Sequence, residues 1–250
     1  MHRIKSDFLL PLSAALLTLV AWELAVLYGG WSEQVFPDPI KVIRSLIELT
    51  LNGTLLKNSI ASLYRVTAGF YLAVLLGVPL GILLGRAKLL RDMFTPLINF
   101  LRPISPLAWI PLAMLWFGIG DKPAIFLIFL ASFFPLLIAT TIAVLSINPI
   151  FFQVAANFNL NNLEKVTKII VPAIIPDVVT ALRLTIAIAW LVVVAAEMIA
   201  VQSGLGYLIL DSRNALRMDY VMVGMIMIGL LGILLDYIMR QLALLASHKR

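Results

Sequence analysis

Long apolar runs alternate along the chain with short stretches rich in charge, proline or glycine. A bilayer core of ~30 Å needs about 20 apolar residues at ~1.5 Å of helical rise each. Six runs reach that length, at 8–28, 66–85, 93–117, 124–145, 173–201 and 221–244. With no water to satisfy their amides, such runs must bond internally, which predicts an all-α membrane protein with six transmembrane helices in one domain over 1–250. An even number of crossings leaves both termini on one side.

Between the first two runs lies a polar segment, 31–64, in which Ile40, Ile43, Leu46, Ile47 and Leu51 recur at helical spacing while Lys41, Arg44 and Glu48 fall elsewhere around the axis. This pattern predicts an amphipathic helix lying at the membrane interface. Gly69, Ala73, Gly77, Gly81 and Gly85 stand four apart in the second run, so one face lets another backbone approach closely. Both packing within the chain and packing between two copies satisfy that pattern. The third run holds Pro96, Pro103, Pro106 and Pro111, which should kink it and free carbonyls for a cavity.

Composition agrees with the pattern: of 250 residues 62% are hydrophobic and 13% charged, with a mean hydropathy of +1.02. The net charge of +6 does not indicate nucleic acid, because the basic residues are scattered through short loops and helix ends. Cysteine is absent and the two histidines, His2 and His248, sit at the ends, so no metal site is expected. The first run, "FLLPLSAALLTLVAWELAVLY", has 21 residues and no small-residue cleavage site after it, and is expected to remain as an anchor rather than leave as a signal peptide.

The basic residues also orient the chain. With the N-terminus inside, Arg3, Lys5, Arg86, Lys88, Arg91, Lys165, Lys168, Arg240, Lys249 and Arg250 make ten inner charges. The outer side holds seven, Lys41, Arg44, Lys57, Arg65, Lys122, Arg213 and Arg217, four of them in the long loop between the first two runs. The bias places the termini in the cytoplasm.

The segment 148–172, between the fourth and fifth runs, is then cytoplasmic. Asn148-Pro149 is a turn signal; Phe152, Ala155 and Ala156 share a helix face that Gln153, Asn157, Asn161 and Asn162 do not. A bare connection needs only a few residues, so a cohesive helix here reads as a docking element, or else as an ordered passive loop.

At these residues the chain resembles the permease subunits of binding-protein-dependent ATP-binding cassette importers. Their cytoplasmic signature runs E-A-A, three residues, G, nine residues, I-x-L-P. Gln153-Val154-Ala155, followed by Ala156, Asn159, Leu160 and then Ile169-Ile170-Val171-Pro172, keeps that spacing, with Gln153, Asn159 and Val171 replacing Glu, Gly and Leu. Asn tolerates the left-handed backbone of a Gly after a helix, so Asn159 can serve the same bend. Gln153 keeps size but loses charge. "LRPISPLAWIPLAMLWFGIGDKPAIFLI" and "ALRLTIAIAWLVVVAAEMIAVQSGLGYLILDSR" resemble the subgroup importing nitrate, bicarbonate, taurine and other sulfonates.

The resemblance implies a type I importer permease fold in a bacterial inner membrane, with 148–172 as the coupling loop. It implies two permease copies paired as a homodimer, together with two ATPase subunits that bind ATP and Mg. A periplasmic or lipid-anchored binding protein would deliver substrate. This chain itself has no G-x-x-x-x-G-K-[ST], so it is expected to transport without hydrolysing ATP and to bind no cofactor.

Charges inside spans are costly and point to function. Arg102 and Arg183 each lie about ten residues, ~15 Å, from the inner end, where fixed cations would ease an anion's passage or else pair with Asp92 or Asp177. Glu197, ~21 Å beyond Arg183, would gate the outer end or pair with Arg65 or a loop arginine. Trp109, Trp116 and Trp190 would line the path or serve as packing and interfacial anchors. "SGLGYL", with Gly204 and Gly206, reads as a turn at the outer mouth. An ion-driven secondary transporter would show inverted repeats, and none is evident; an intramembrane enzyme would need clustered His, Cys, Asp or Glu.

Overall fold

The structure, a computed structural model, describes residues 2–30, 32 and 35–247, with side chains between Ser13 and Leu244. The terminal charges Arg3, Lys5, Lys249 and Arg250, both histidines, and Trp31, Glu33 and Gln34 of the interfacial segment lie outside the described side chains. The described residues form helices and loops without strands: α1 (His2–Tyr28), α2 (Pro39–Leu51), α3 (Thr54–Arg86), α4 (Lys88–Leu101), a 3-10 turn (Pro106–Trp109), α5 (Ile110–Phe117), α6 (Asp121–Leu145), α7 (Pro149–Asn157), α8 (Asn162–Lys165), a π turn (Val166–Ile170), α9 (Val171–Ala200), α10 (Leu205–Asn214) and α11 (Met218–Ser247).

Among the described residues four helical stretches are long and apolar enough to cross a membrane: Thr54–Arg86, Asp121–Leu145, Asn162–Ala200 and Met218–Leu244. A fifth exists if Lys88–Leu101 and Pro106–Phe117 are one span, but they meet at 84°. The third run is therefore broken where a kink was expected. Pro103 cannot donate to the helical ladder, and Pro106 holds Ser105 before it in a non-helical conformation at ψ 131°. In α1 the described apolar part is Ser13–Tyr28, shorter than a full crossing.

The glycine ladder resolves to packing within the chain. A Cβ on Gly69 would come within 2.7 Å of Ile128, on Gly81 within 2.6 Å of Thr140 and on Gly85 within 2.5 Å of Val144, all on α6. Backbones this close gain dispersion contacts that larger side chains would forbid. Beside this α3–α6 pair, α9 and α11 close the core around Val66, Phe70, Ile186, Trp190 and Val193.

Two other boundaries move. From Thr54 the chain already belongs to α3, so among the described residues the helix expected within 31–64 covers 39–51. On α2, moreover, Val42, Ser45 and Leu49 face the bundle, while Ile40, Ile43, Ile47 and Leu51 are exposed. The fifth stretch starts at Asn162, well before 173, because the π turn carries the helix through Pro172. Val171 N–H bonds Val166 O, five residues back, which accommodates a proline that cannot make the ordinary bond.

Candidate functional site

Two ends of the bundle carry the residues of interest. At one, α6 ends at Leu145 and the chain turns into α7. Asn148 caps α7 through its side chain, accepting from Ile150 N–H at 3.0 Å, with Pro149 at the first turn. The helix stops in a Schellman arrangement: Leu160 N–H donates to Ala155 O and Asn159 N–H to Ala156 O, both at 3.0 Å. Asn159 sits at φ 51°, the left-handed backbone expected of it. Asn161 then opens α8 in a reciprocal capping box, its Oδ1 accepting from Glu164 N–H at 2.8 Å while Glu164 Oε2 accepts from Asn161 N–H at 2.9 Å. The asparagines of this stretch thus set helix ends.

The surface they frame is less polar than its sequence. Ala155 is buried and Phe152 half-buried against Ile170, Ile174 and Val144, and the Arg86 guanidinium lies 6.0 Å from the Phe152 ring. Ala156 does not share that burial; it is exposed with Gln153. Ile150, Phe151, Val154, Phe158 and Leu163 are exposed as well. Ile169 and Pro172 continue the helix toward the core.

At the opposite end α3, α6, α9 and α10 are tied by one polar network around a buried Arg65–Glu197 pair, with the exposed Asp121 as the α6 member. Glu197 is fully buried and accepts from Arg65 Nη1 at 2.6 Å, from Ser62 Oγ at 2.8 Å and from Gly206 N–H at 3.0 Å. Arg65 also reaches Asp121 at 2.7 Å and both the carbonyl and hydroxyl of Ser203. Asn58 Oδ1 and Ser62 Oγ accept from Gly204 N–H and Leu205 N–H at 2.7 and 2.9 Å. The amides that open α10 are thereby filled from inside the protein, so "SGLGYL" is a cross-linked helix start. The expected Arg65–Glu197 pair is present; the Asp121, Asn58 and Ser203 contacts had no local signal, since each joins residues more than fifty positions apart.

Arg102 and Arg183 are in different circumstances. Arg183 pairs bidentately with Asp236 of α11 at 2.7 and 2.9 Å, so its partner is neither Asp92 nor Asp177. Packing of α9 on α11, which spacing along the sequence does not reveal, supplies that carboxylate. Arg102, at the end of α4, donates its backbone N–H to Ile98 O at 2.9 Å, but its side chain makes no hydrogen bond or ion pair among the described residues. Trp109 lines a cleft with it, whereas Trp190 is buried with its Nε1 donating to Ile228 O at 3.0 Å. Trp116 is exposed beside Trp109 and Phe126.

Residues 77–246 match the model of the family described as binding-protein-dependent transport system inner membrane component. The chain belongs to this family. It is 39% identical over 235 residues to a putative ABC transporter permease of Methanocaldococcus jannaschii, covering 92% of this chain and 88% of that one. It is 32% identical to the taurine transport system permease TauC of Escherichia coli, over 93% and 89% of the two chains, and 34% identical to the nitrate import permease NrtB of Synechocystis, over 90% and 84%. Among solved structures, a chain of the inward-facing MetNI methionine ABC transporter superposes with a TM-score of 0.67 at 18% identity, covering 79% of this chain and 98% of that one. That likeness is one of fold. The protein is thus a multi-pass transport component of the ABC class.

Proposed function

We propose that the chain is the permease subunit of an ATP-driven importer and forms, as a homodimer, the path for a small anion such as nitrate, bicarbonate, taurine or another sulfonate. Two separate ATPase subunits dock on α7 from the cytoplasm, and a soluble or lipid-anchored binding protein delivers substrate to the α10 end. In this reading α1 and the bent α4–α5 pair complete six spans in a bacterial inner membrane, with both termini inside. The relatives named for taurine and nitrate import support the anion class.

The observation that carries the docking role is α7 itself, a short helix capped at both ends that leaves Ile150, Val154 and Phe158 exposed. Apolar side chains on a rigid helix at the end of the bundle fit a groove in a partner. Because Ala155 is buried, an arginine there would disturb the fold; exposed Val154 gives the cleaner probe. In a reconstituted complex, Val154→Asp should lower substrate-stimulated ATP hydrolysis and uptake by about tenfold or more, the cost of desolvating a charge in an apolar groove, while the melting temperature of the purified permease stays put. Undiminished hydrolysis and uptake would overturn the docking role.

A further inference from the structure

Helix α4 has a polar stripe. Arg91, Thr95, Asn99 and Arg102 stand at i, i+4, i+8 and i+11, within about 80° of arc at ~100° per residue. No α4 residue is buried, although the helix is half of a candidate span. Lipid is a costly neighbour for such side chains, which face protein or a water-filled cavity in membrane proteins.

The stripe borders two clefts. One, of about 160 Å³, lies between α4 and α6 and is lined by Arg91, Thr95, Asn99, Arg102 and Thr141. The other, of about 210 Å³, continues from Arg102 past the helix break to Trp109 and Ile188. Arg102 borders both.

The donors differ in availability. The hydroxyls of Thr95 and Thr141 are turned onto the carbonyls of Arg91 and Leu137, at 2.6 and 2.7 Å. Arg91 is tethered by Nη1 to the carbonyls of Leu84 and Gly85, at 3.3 Å each. The side chains of Asn99 and Arg102 make no hydrogen bond or ion pair among the described residues.

We propose that Asn99 and Arg102 form a transient binding site for one singly charged oxyanion group, nitrate-sized or a sulfonate headgroup, and that the stripe leads on from it to Arg91, ~16 Å along the helix. A guanidinium fork matches two oxygens of such a group, and the Asn99 amide supplies a third donor. One unpaired cation in an open cleft attracts the anion without holding it, as permeation requires. The inference rests on the reading that this chain forms an anion path.

The absence of cysteine makes a direct test possible. In the assembled complex, Asn99→Cys, Thr95→Cys and Phe100→Cys are treated with anionic 2-sulfonatoethyl and cationic 2-(trimethylammonium)ethyl methanethiosulfonates, each rate normalised to that of a free thiol. At Asn99→Cys and Thr95→Cys the anionic reagent should be favoured by about tenfold or more, from the Coulomb field of the nearby guanidinium. Phe100→Cys, on the opposite face of α4, should show no such preference. Adding Arg102→Gln or Arg102→Met to Asn99→Cys should abolish the preference; two replacements guard against a folding failure in either. A preference that survives the loss of Arg102, or none at Asn99→Cys, overturns the site. ATP-dependent uptake of nitrate and taurine by the unmodified complex, measured in parallel, separates the two ideas: uptake of either without the reactivity pattern defeats only the site, and uptake of neither defeats the anion reading.

Discussion

The two ends of the bundle are held by different means. At the α10 end the buried Arg65, Glu197 and Asn58, with the exposed Asp121, join four helices, each contact reaching across the fold. At the α7 end the Asn148, Asn159 and Asn161 devices are local, spanning two to five residues, and large apolar side chains remain exposed between them. One end has its polar groups matched internally. The other has an ordered backbone and an unmatched surface, which is what the proposed docking role asks of α7.

The sharpest way to break this comparison is to remove one member of the buried network. Arg65→Met would leave Glu197 fully buried without its cation, and losing one partner of a buried pair costs about 3–5 kcal/mol. Thermal unfolding of the purified permease should show the largest drop of any single substitution considered. The double variant Arg65→Met/Glu197→Leu should regain part of it, because no buried charge is then stranded. Equal stability of the single variant and the parent would mean that the network does not clamp this end.

Much of this contrast is legible in the sequence, but not evenly. Asn159 is readable as a left-handed residue because the requirement is local: a helix must end there, and few side chains tolerate that backbone. The glycine ladder announces a close approach, yet its partner could only come from the fold, which supplies α6. Asp236, opposite Arg183, lies 53 positions away and carries no periodic mark. The sharp break after Arg102 exceeds the expected kink because proline content marks a disturbance without fixing its angle. On α2 the apolar stripe at 40, 43, 47 and 51 was found but its direction was not, since an interfacial helix has two apolar neighbours, lipid and protein.

A second test at the α10 end bears on the backbone. Gly204 has φ 103°, where side chains are rarely accommodated, and a Cβ there would lie 2.3 Å from the Glu197 carboxylate. Gly204→Ala should therefore cost on the order of 1–3 kcal/mol from backbone strain alone, besides displacing Glu197. The same substitution at Gly118, which has positive φ but open space around its Cβ position, should cost only the strain. A smaller melting-temperature loss at Gly204 than at Gly118 would show that Glu197 moves aside freely, and that the network is softer than its geometry.

The smallest effect belongs to the α7 end, where the comparison predicts a local consequence. Asn159→Val puts a β-branched residue into the left-handed conformation, at roughly 1–2 kcal/mol, whereas Asn159→Gly relieves the Cβ and keeps the turn. Because the Schellman bonds involve only residues 155–160, and the exposed side chains around them contribute little to the core, the valine penalty should appear chiefly as fraying of α7. Amide hydrogen exchange across 150–160 would then quicken in the valine variant with little change in the melting temperature, and stay near the parent rate in the glycine variant. Melting-temperature losses as large as those at Arg65 would erase the distinction between the ends; faster exchange confined to the helix would establish that α7 is an autonomous piece whose shape is set by its own caps.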